Sequence, residues 1–426
     1  MWLHGGSTAG ELTAQSVESG SSLDEVVFLF LILTSLWVLS RRPINWGRLF
    51  SQNSALVAFL FFALLSLCWS GFPFITFKRW FRDLGNYLAM LVVISDAQPM
   101  EATRTVLRRL TYLLIPLSIV LIKYFPDLSN SYDAWTGALM VAGVATSKNT
   151  LGTIFLVCGV FLLWDSLIRW PDRKNRRTRQ TLVVNASFVG MVLWLVNITK
   201  STTSEICLVL GCFVLVALRT QISKRHSRAL KVLVPSAFLL YLLLDFGLGL
   251  NGKMAEAVGK SPTLTDRTFI WAFLLKMHTD PLFGTGYQSF WIGPRLQYFW
   301  QYSGQGHINE AHNGYLEIYL ELGLIGVLLM ATFLVKAYRT ICRNLNNGSQ
   351  LAALGMAMWI ILLFYNMSEA ALEAGLLYTV FLITVVNTYA PQRTNPGRVS
   401  PRKHAETESA YTLPAASSQE NHAANL

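Results

Sequence analysis

Eleven stretches of this 426-residue chain approach the roughly 20 consecutive apolar residues that a helix needs to cross a bilayer, and the connectors between them alternate between rich and poor in Lys and Arg. The runs fall near 24–40, 54–70, 84–95, 110–125, 150–168, 181–198, 203–219, 230–249, 315–337, 351–367 and 370–389. Such a pattern predicts an all-α polytopic integral membrane protein with about eleven transmembrane helices. Composition agrees, because 53% of residues are hydrophobic and 14% charged, where soluble domains carry about 25% charged. An ordinary soluble enzyme is excluded.

The charge alternation orients the chain. Short cytoplasmic loops collect Lys and Arg, while external loops do not. With the N-terminus outside, the inner connectors hold Arg41, Arg42 and Arg48, then Arg104, Arg108 and Arg109, then the six cations of RWPDRKNRRTR at 169–179. They continue with the cations between Arg219 and Lys231, between Lys336 and Arg343, and after Pro391. The net charge of +11 is therefore a topological signal, and no nucleic-acid partner is implied. Residues 1–23 contain no Lys or Arg, so no signal peptide is expected, and the C-terminus is placed inside. Five cysteines, four of them within apolar runs, suit small buried hydrophobes better than a disulfide framework.

Domain organisation follows: an external segment 1–23, helices one to eight over 24–249, a long external loop 250–314, helices nine to eleven over 315–390, and a polar, disordered cytoplasmic tail 391–426. In the long loop, TDRTFIWAFLLKM (265–277) predicts a short helix capped by Thr265 or Asp266, and DPLFGTGYQSFW (280–291) is Gly-broken and aromatic. A long ordered loop on one face is where function concentrates.

The eleven cations left on the external side are Lys78, Arg79, Arg82, Lys123, Lys148, Lys200, Lys253, Lys260, Arg267, Lys276 and Arg295. A cation kept against the positive-inside bias is either a functional candidate or a snorkelling side chain. Arg79 and Arg82, in FITFKRWFRDLG, could hold an anionic headgroup or leaving group, or Arg79 could simply pair with Asp83. Arg267 suits bidentate binding of phosphate oxygens, or pairs with Asp266. Lys148 and Asn149, in a Gly/Ser/Thr-rich stretch, line a hydrated mouth or help pack helices.

The densest constellation is HINEAHNGYLEIYLELGLIGVLL at 307–329. His312 stands at a helix N-terminus, whose dipole favours the neutral imidazole of a general base, while Glu310 pushes the other way. His307 competes for the role, and Glu317 and Glu321 share one helical face. The aromatics Tyr287, Phe290, Trp291, Tyr298, Phe299, Trp300 and Tyr302 could stack on sugar faces or form an interfacial belt. DxD, HExxH, CxxC and Walker sequences are all missing, so nucleotide-sugar, zinc and ATP chemistry lose ground and no metal or cofactor is expected.

GTGYQSFW (284–291), EAHNGYLEIYLELGLIGVLL (310–329), SKNTLG (147–152), the connector from Trp69-Ser70 to Lys78-Arg79 and STTS (201–204) together resemble the O-antigen ligase and polymerase superfamily, closest to its exopolysaccharide branch. The resemblance implies an integral-membrane, GT-C-like inverting glycosyltransferase, acting on the periplasmic side of the bacterial inner membrane. Its donor would be a sugar chain carried on undecaprenyl diphosphate. It implies His312 and Arg267 as catalytic residues, and Arg79, Arg82 and Lys148 as diphosphate ligands. Glu310, Asn313, Tyr315, Glu317, Asn149 and Tyr287 would be supporting or sugar-binding. Ser147 and Thr202 stand where many members carry His and Arg. The implied activity is polymerisation of lipid-linked repeat units, with transfer to lipid A core or protein as one alternative and lipid-linked oligosaccharide export as another. A chain-length regulator and a flippase of the same pathway are the expected protein partners.

Overall fold

The computed structural model describes residues 22–132, 139–219, 236, 238, 240, 263–277, 279–303, 308–372 and 375–389. Most of the eighth apolar run, the tail 391–426, nearly all of segment 1–23 and His307 lie outside the described residues. The described residues are helical almost throughout, with one two-stranded antiparallel pair among them, β1 (Asn130–Tyr132) and β2 (Leu139–Val141), in which Asn130 faces Val141.

The first helices are α1 (Ser22–Ser40), α2 (Trp46–Gln52), α3 (Ser54–Leu65), α4 (Pro73–Ile94) and α5 (Pro99–Tyr124). Three of them correct the span boundaries. α2 and the stretch Ser54–Cys68 meet at 87°. α4 begins at Pro73, eleven residues before the predicted span, because Pro at N1 starts a helix and its charged turns face protein rather than lipid. α5 likewise starts at Pro99, with Arg104 and Arg108 paired inside it rather than lying in a loop.

α6 (Lys148–Arg169), α7 (Arg176–Thr199) and α8 (Thr202–Ala217) follow. Ser147 caps α6 by accepting from the Thr150 N–H at 3.2 Å, and Asn175 caps α7 at the Arg177 N–H. The long connector contributes α9 (Thr263–Lys276) and α10 (Gly293–Ser303); α11 (Gly314–Asn346), α12 (Gln350–Tyr365) and α13 (Gly375–Tyr389) complete the chain. α12 is apolar on all sides and buried on nearly all of them, between α8, α13, α11 and α6, as expected of a central helix. The peripheral helices turn large apolar side chains outward, among them Val26, Phe30 and Trp37 on α1 and Val209 and Phe213 on α8, a face that suits lipid.

Among the described residues four helices are long and apolar enough to cross a membrane alone, five if the bent pair counts as one span. Shorter apolar helices lie at Glu25–Ser40, Thr202–Ala217, Gln350–Tyr365 and Gly375–Val385. The chain is thus a multi-pass, mainly helical membrane protein.

α11 is broken. At Gly323 the backbone has φ 62° and ψ −164°, a combination essentially reserved for glycine. Within an apolar layer the freed backbone groups must be satisfied by protein, and the DPLFGTG segment does so. Thr285 and Gly286 donate to the carbonyls of Leu320 and Glu321 at 3.1 and 2.8 Å, while Leu324 and Ile325 donate to those of Pro281 and Leu282 at 2.9 and 3.3 Å. Backbone lies against backbone, for a Cβ at Gly323 would sit 2.2 Å from the Leu282 carbonyl carbon. Gly323→Ala is therefore expected to destabilise the protein by at least about 1–3 kcal/mol from the backbone conformation alone. Thermal unfolding in detergent checks this, and an unchanged melting temperature would contradict the interlock.

Candidate active site

The interlocked loop delivers its next residues to one end of the bundle. Gln288, at φ 48°, is a junction between α4 and the broken helix. Its backbone N–H donates to Glu321 Oε2 at 2.8 Å, and its side-chain amide donates to Asp83 Oδ2 at 2.7 Å. Its backbone carbonyl accepts from Arg79 Nη1, and its Oε1 accepts from Arg82 Nη2 at 3.0 Å. Arg82 Nε also donates to Asp83 Oδ1 at 3.0 Å. Arg82, not Arg79, is thus the partner of Asp83, and both arginines are anchored so that they line one cavity of about 440 Å³. Gln288, Trp291, Asn309, Glu310, Glu317 and Glu321 also line it.

Glu310, in the same lining, belongs to a second charged cluster. His312, at φ 49°, directs Nδ1 at Glu310 Oε1 (2.7 Å) and Glu369 Oε2 (3.4 Å). Arg267 Nη2 donates to Glu369 Oε1 at 3.1 Å and its Nη1 to the Ser368 carbonyl, while Asn149 Nδ2 donates to Glu369 Oε2 at 2.8 Å. Glu369, only 5% exposed, therefore gathers residues from α6, α9 and the segment before α11. Arg267 turns to this carboxylate; the Asp266 side chain lies outside the described residues. Asn313 caps α11, accepting from the N–H groups of Tyr315 and Leu316, and so fixes the turn on which His312 sits.

The balance on His312 that sequence leaves open is decided by this geometry. Burial disfavours its charged form, but hydrogen bonds to Glu310 and Glu369 and their charges outweigh burial, and its pKa is raised to about 9. It is an imidazolium at neutral pH. Burial raises the pKa of Glu310, yet its hydrogen bond to His312 and the nearby charges of His312 and Arg267 prevail and hold it below the usual carboxylate range. Because the raised pKa comes from folding, the contribution of His312 to stability is full below the unfolded value of about 6.5 and is lost as pH rises through about 9, whereas that of Glu310, whose pKa is lowered, is lost as pH falls into the acid range. Glu310, His312 and Glu369 bring one potential ligand atom each within 4.8 Å of one another, the spacing of a metal triad. Arg267 and Asn149 also donate to Glu369, so the same three residues belong to an ion-pair network.

The remaining expected site residues take other places. Tyr287 is buried and donates its hydroxyl to Asp83 Oδ2 at 2.9 Å, so it braces the arginines instead of stacking on a sugar. Phe290, Trp291 and Phe299 form a buried aromatic core under the loop, and Tyr298 and Tyr302 are exposed. Glu317 accepts from Trp291 Nε1 at 2.8 Å and from the Ala311 N–H, which shapes the cavity floor. Tyr315 donates to the Leu363 carbonyl. Lys148 opens α6 half-buried and lies outside the cavity lining. Of the other outer cations, Lys78 pairs with Glu25 and Arg295 stacks on Phe290. Glu369, Gln288 and Asn309 were not singled out from sequence, and Asp83 only as a partner for Arg79. Glu369 stands in the short turn between two apolar runs, a position where a lone acid is itself a signal.

Residues 134–331 match the model of the O-antigen ligase family. The Exopolysaccharide production protein ExoQ of Rhizobium meliloti (strain 1021) is 27% identical over 294 residues, a match covering 66% of this chain and 63% of that relative. The chain resembles the O-antigen ligase superfamily, on its exopolysaccharide side. The family match spans Asn149, Arg267, Gln288, Glu310 and His312, whereas Arg79, Arg82 and Glu369 come from outside it.

Proposed function

We propose that this O-antigen-ligase-like protein polymerises oligosaccharide repeat units carried on undecaprenyl diphosphate, by inverting glycosyl transfer at the periplasmic face of a bacterial inner membrane. The observation that carries the reading is a single cavity lined both by Arg79 and Arg82 and by Glu310, the partner of His312. A diphosphate suits the arginines, because guanidinium groups match phosphate oxygens bidentately. An acceptor sugar suits the carboxylate.

In this mechanism the acceptor hydroxyl oxygen attacks the anomeric carbon from the face opposite the diphosphate. The bond from that carbon to the diphosphate oxygen breaks, and its electron pair leaves on the lipid diphosphate, whose charge Arg79 and Arg82 offset. The hydroxyl proton passes to Glu310, the member of the pair that lines the cavity. A carboxylate of low pKa suffices, since the attacking oxygen becomes strongly acidic as its new bond forms, and carboxylates serve this role in other inverting glycosyl transfers. His312 orients Glu310 and adds positive charge, and Glu369 and Arg267 position His312. The general-base role expected of His312 thus moves to its partner.

The two assignments differ in pH dependence. With His312 acting as imidazolium, the rate falls as pH rises through about 9; with a neutral His312 as base, it would climb toward that value. A pH–rate profile of the purified protein separates them.

The function is tested with purified protein in lipid, its undecaprenyl-diphosphate repeat unit and a chelator, read on a gel. A ladder supports a metal-independent polymerase. Product only after lipid A core is added would make it a ligase, and movement of the lipid across the bilayer without product would make it an exporter.

A further inference from the structure

Asp165 lies sixteen residues after Asn149 on α6, about 24 Å along the helix at 1.5 Å per residue, and is fully buried at the far end of the bundle from the cavity. Three guanidinium groups converge on it. Arg104 reaches Oδ1 at 2.6 Å, Arg169 reaches Oδ2 at 2.8 Å, and Arg108 approaches Oδ1 only at 3.5 Å. Asn185, held by the Tyr112 hydroxyl, donates to Oδ2 at 3.1 Å. Arg108 makes the longest of the bonds to this carboxylate, from Nη2 to Oδ1 at 3.5 Å, and its Nε is enclosed without a hydrogen-bond partner. The other acid nearby is Glu101, 3.9 Å from Arg104 and 56% exposed. Segments 99–109 and 165–179 together hold nine Lys and Arg against three acids.

The positive-inside bias explains cations in a loop, where water solvates them. It does not explain arginines whose side chains are only 18%, 26% and 22% exposed (Arg104, Arg108 and Arg169) around one carboxylate. Covered surplus charge is costly unless an anion meets it. Lipid-facing residues flank the cluster, with Leu110 and Leu113 exposed on α5 and Val183 on α7, so an anion there has acyl chains for neighbours. Basic pockets between membrane helices bind phosphate headgroups.

We infer that Arg104, Arg108 and Arg169 form a binding site for the phosphate of an anionic phospholipid on the face opposite the cavity. Arg108, whose bond to Asp165 is the longest and whose Nε has no partner, is the member that turns toward the ligand.

The test uses the full-length protein in neutral detergent, titrated with cardiolipin, phosphatidylcholine or inorganic phosphate and read by native mass spectrometry and melting temperature. Cardiolipin is expected to be retained and to raise the melting temperature, with phosphatidylcholine doing neither. Arg108→Gln should weaken cardiolipin binding about 10-fold, the loss of one charge-assisted hydrogen bond, with an unliganded melting temperature near that of the unmodified protein. Equal retention of cardiolipin and phosphatidylcholine would overturn the site. So would an Arg108→Gln variant that is folded and binds as before. If millimolar phosphate displaced cardiolipin and reproduced its thermal shift, the ligand would be a soluble phosphate and the lipid assignment would fall. Were Arg108→Gln unstable, the comparison of lipids on the unmodified protein would still decide.

Discussion

His312→Ala is expected to lower glycosyl transfer by about 10²–10⁴-fold, the range for removing a group that manages a proton in the transition state. The protein should survive the change. Glu369 keeps its bonds from Arg267 and Asn149, and Glu310, 41% exposed at its side chain, can recruit water. Catalysis suffers because Glu310 loses the imidazolium that aims it, and the cavity loses a positive charge beside the reacting sugar. Ladder formation by variant and unmodified protein at matched amounts, with melting temperature as the folding control, checks this. A folded variant making the normal ladder would remove His312 from the mechanism.

Arg79→Ala and Arg82→Ala should instead weaken the grip on the donor. Each guanidinium that meets phosphate is worth about 1.5–3 kcal/mol, so each change should cost roughly 10- to 150-fold in kcat/KM. Both substitutions together should exceed either alone. The buried Asp83 retains Tyr287 and Gln288 as donors after Arg82 is lost, which limits collateral damage. Arg82→Lys keeps the charge without the fork and should recover only part of the loss. Rates measured against lipid-linked donor concentration check this; unchanged kcat/KM for both alanine variants would exclude the two arginines from donor binding.

The helices were legible in the sequence wherever an uncharged apolar run coincided with a span, as in α6, α7 and α12. They were misjudged where charges sit inside a helix. Lys78, Arg79 and Arg82 truncated α4, and Arg104 and Arg108 truncated α5, because a hydropathy scan cannot know that a partner elsewhere faces each charge. Gly323 was visible as a glycine entering the membrane. The break it makes was not, since that depends on the loop from Pro281 to Gly286, about forty residues upstream, filling the gap.

The site divides the same way. His312, Arg267, Arg79 and Arg82 stood out because cations on the outer face oppose a known bias. Glu369 did not, although an acid in a short turn between apolar runs is a signal, because Arg267, Asn149 and His312, the partners that give it meaning, are distant in sequence. Tyr287 and Trp291 looked like sugar-binding aromatics, and only their partners, Asp83 and Glu317, reveal them as braces.

The most direct measurement is a structure of the protein in a lipid nanodisc with its diphosphate-linked repeat unit bound. The account predicts the diphosphate within hydrogen-bond reach of the Arg79 and Arg82 guanidinium groups and a sugar hydroxyl beside Glu310. A diphosphate seated at Lys148, or anywhere outside the cavity between Gln288 and Glu310, would contradict it.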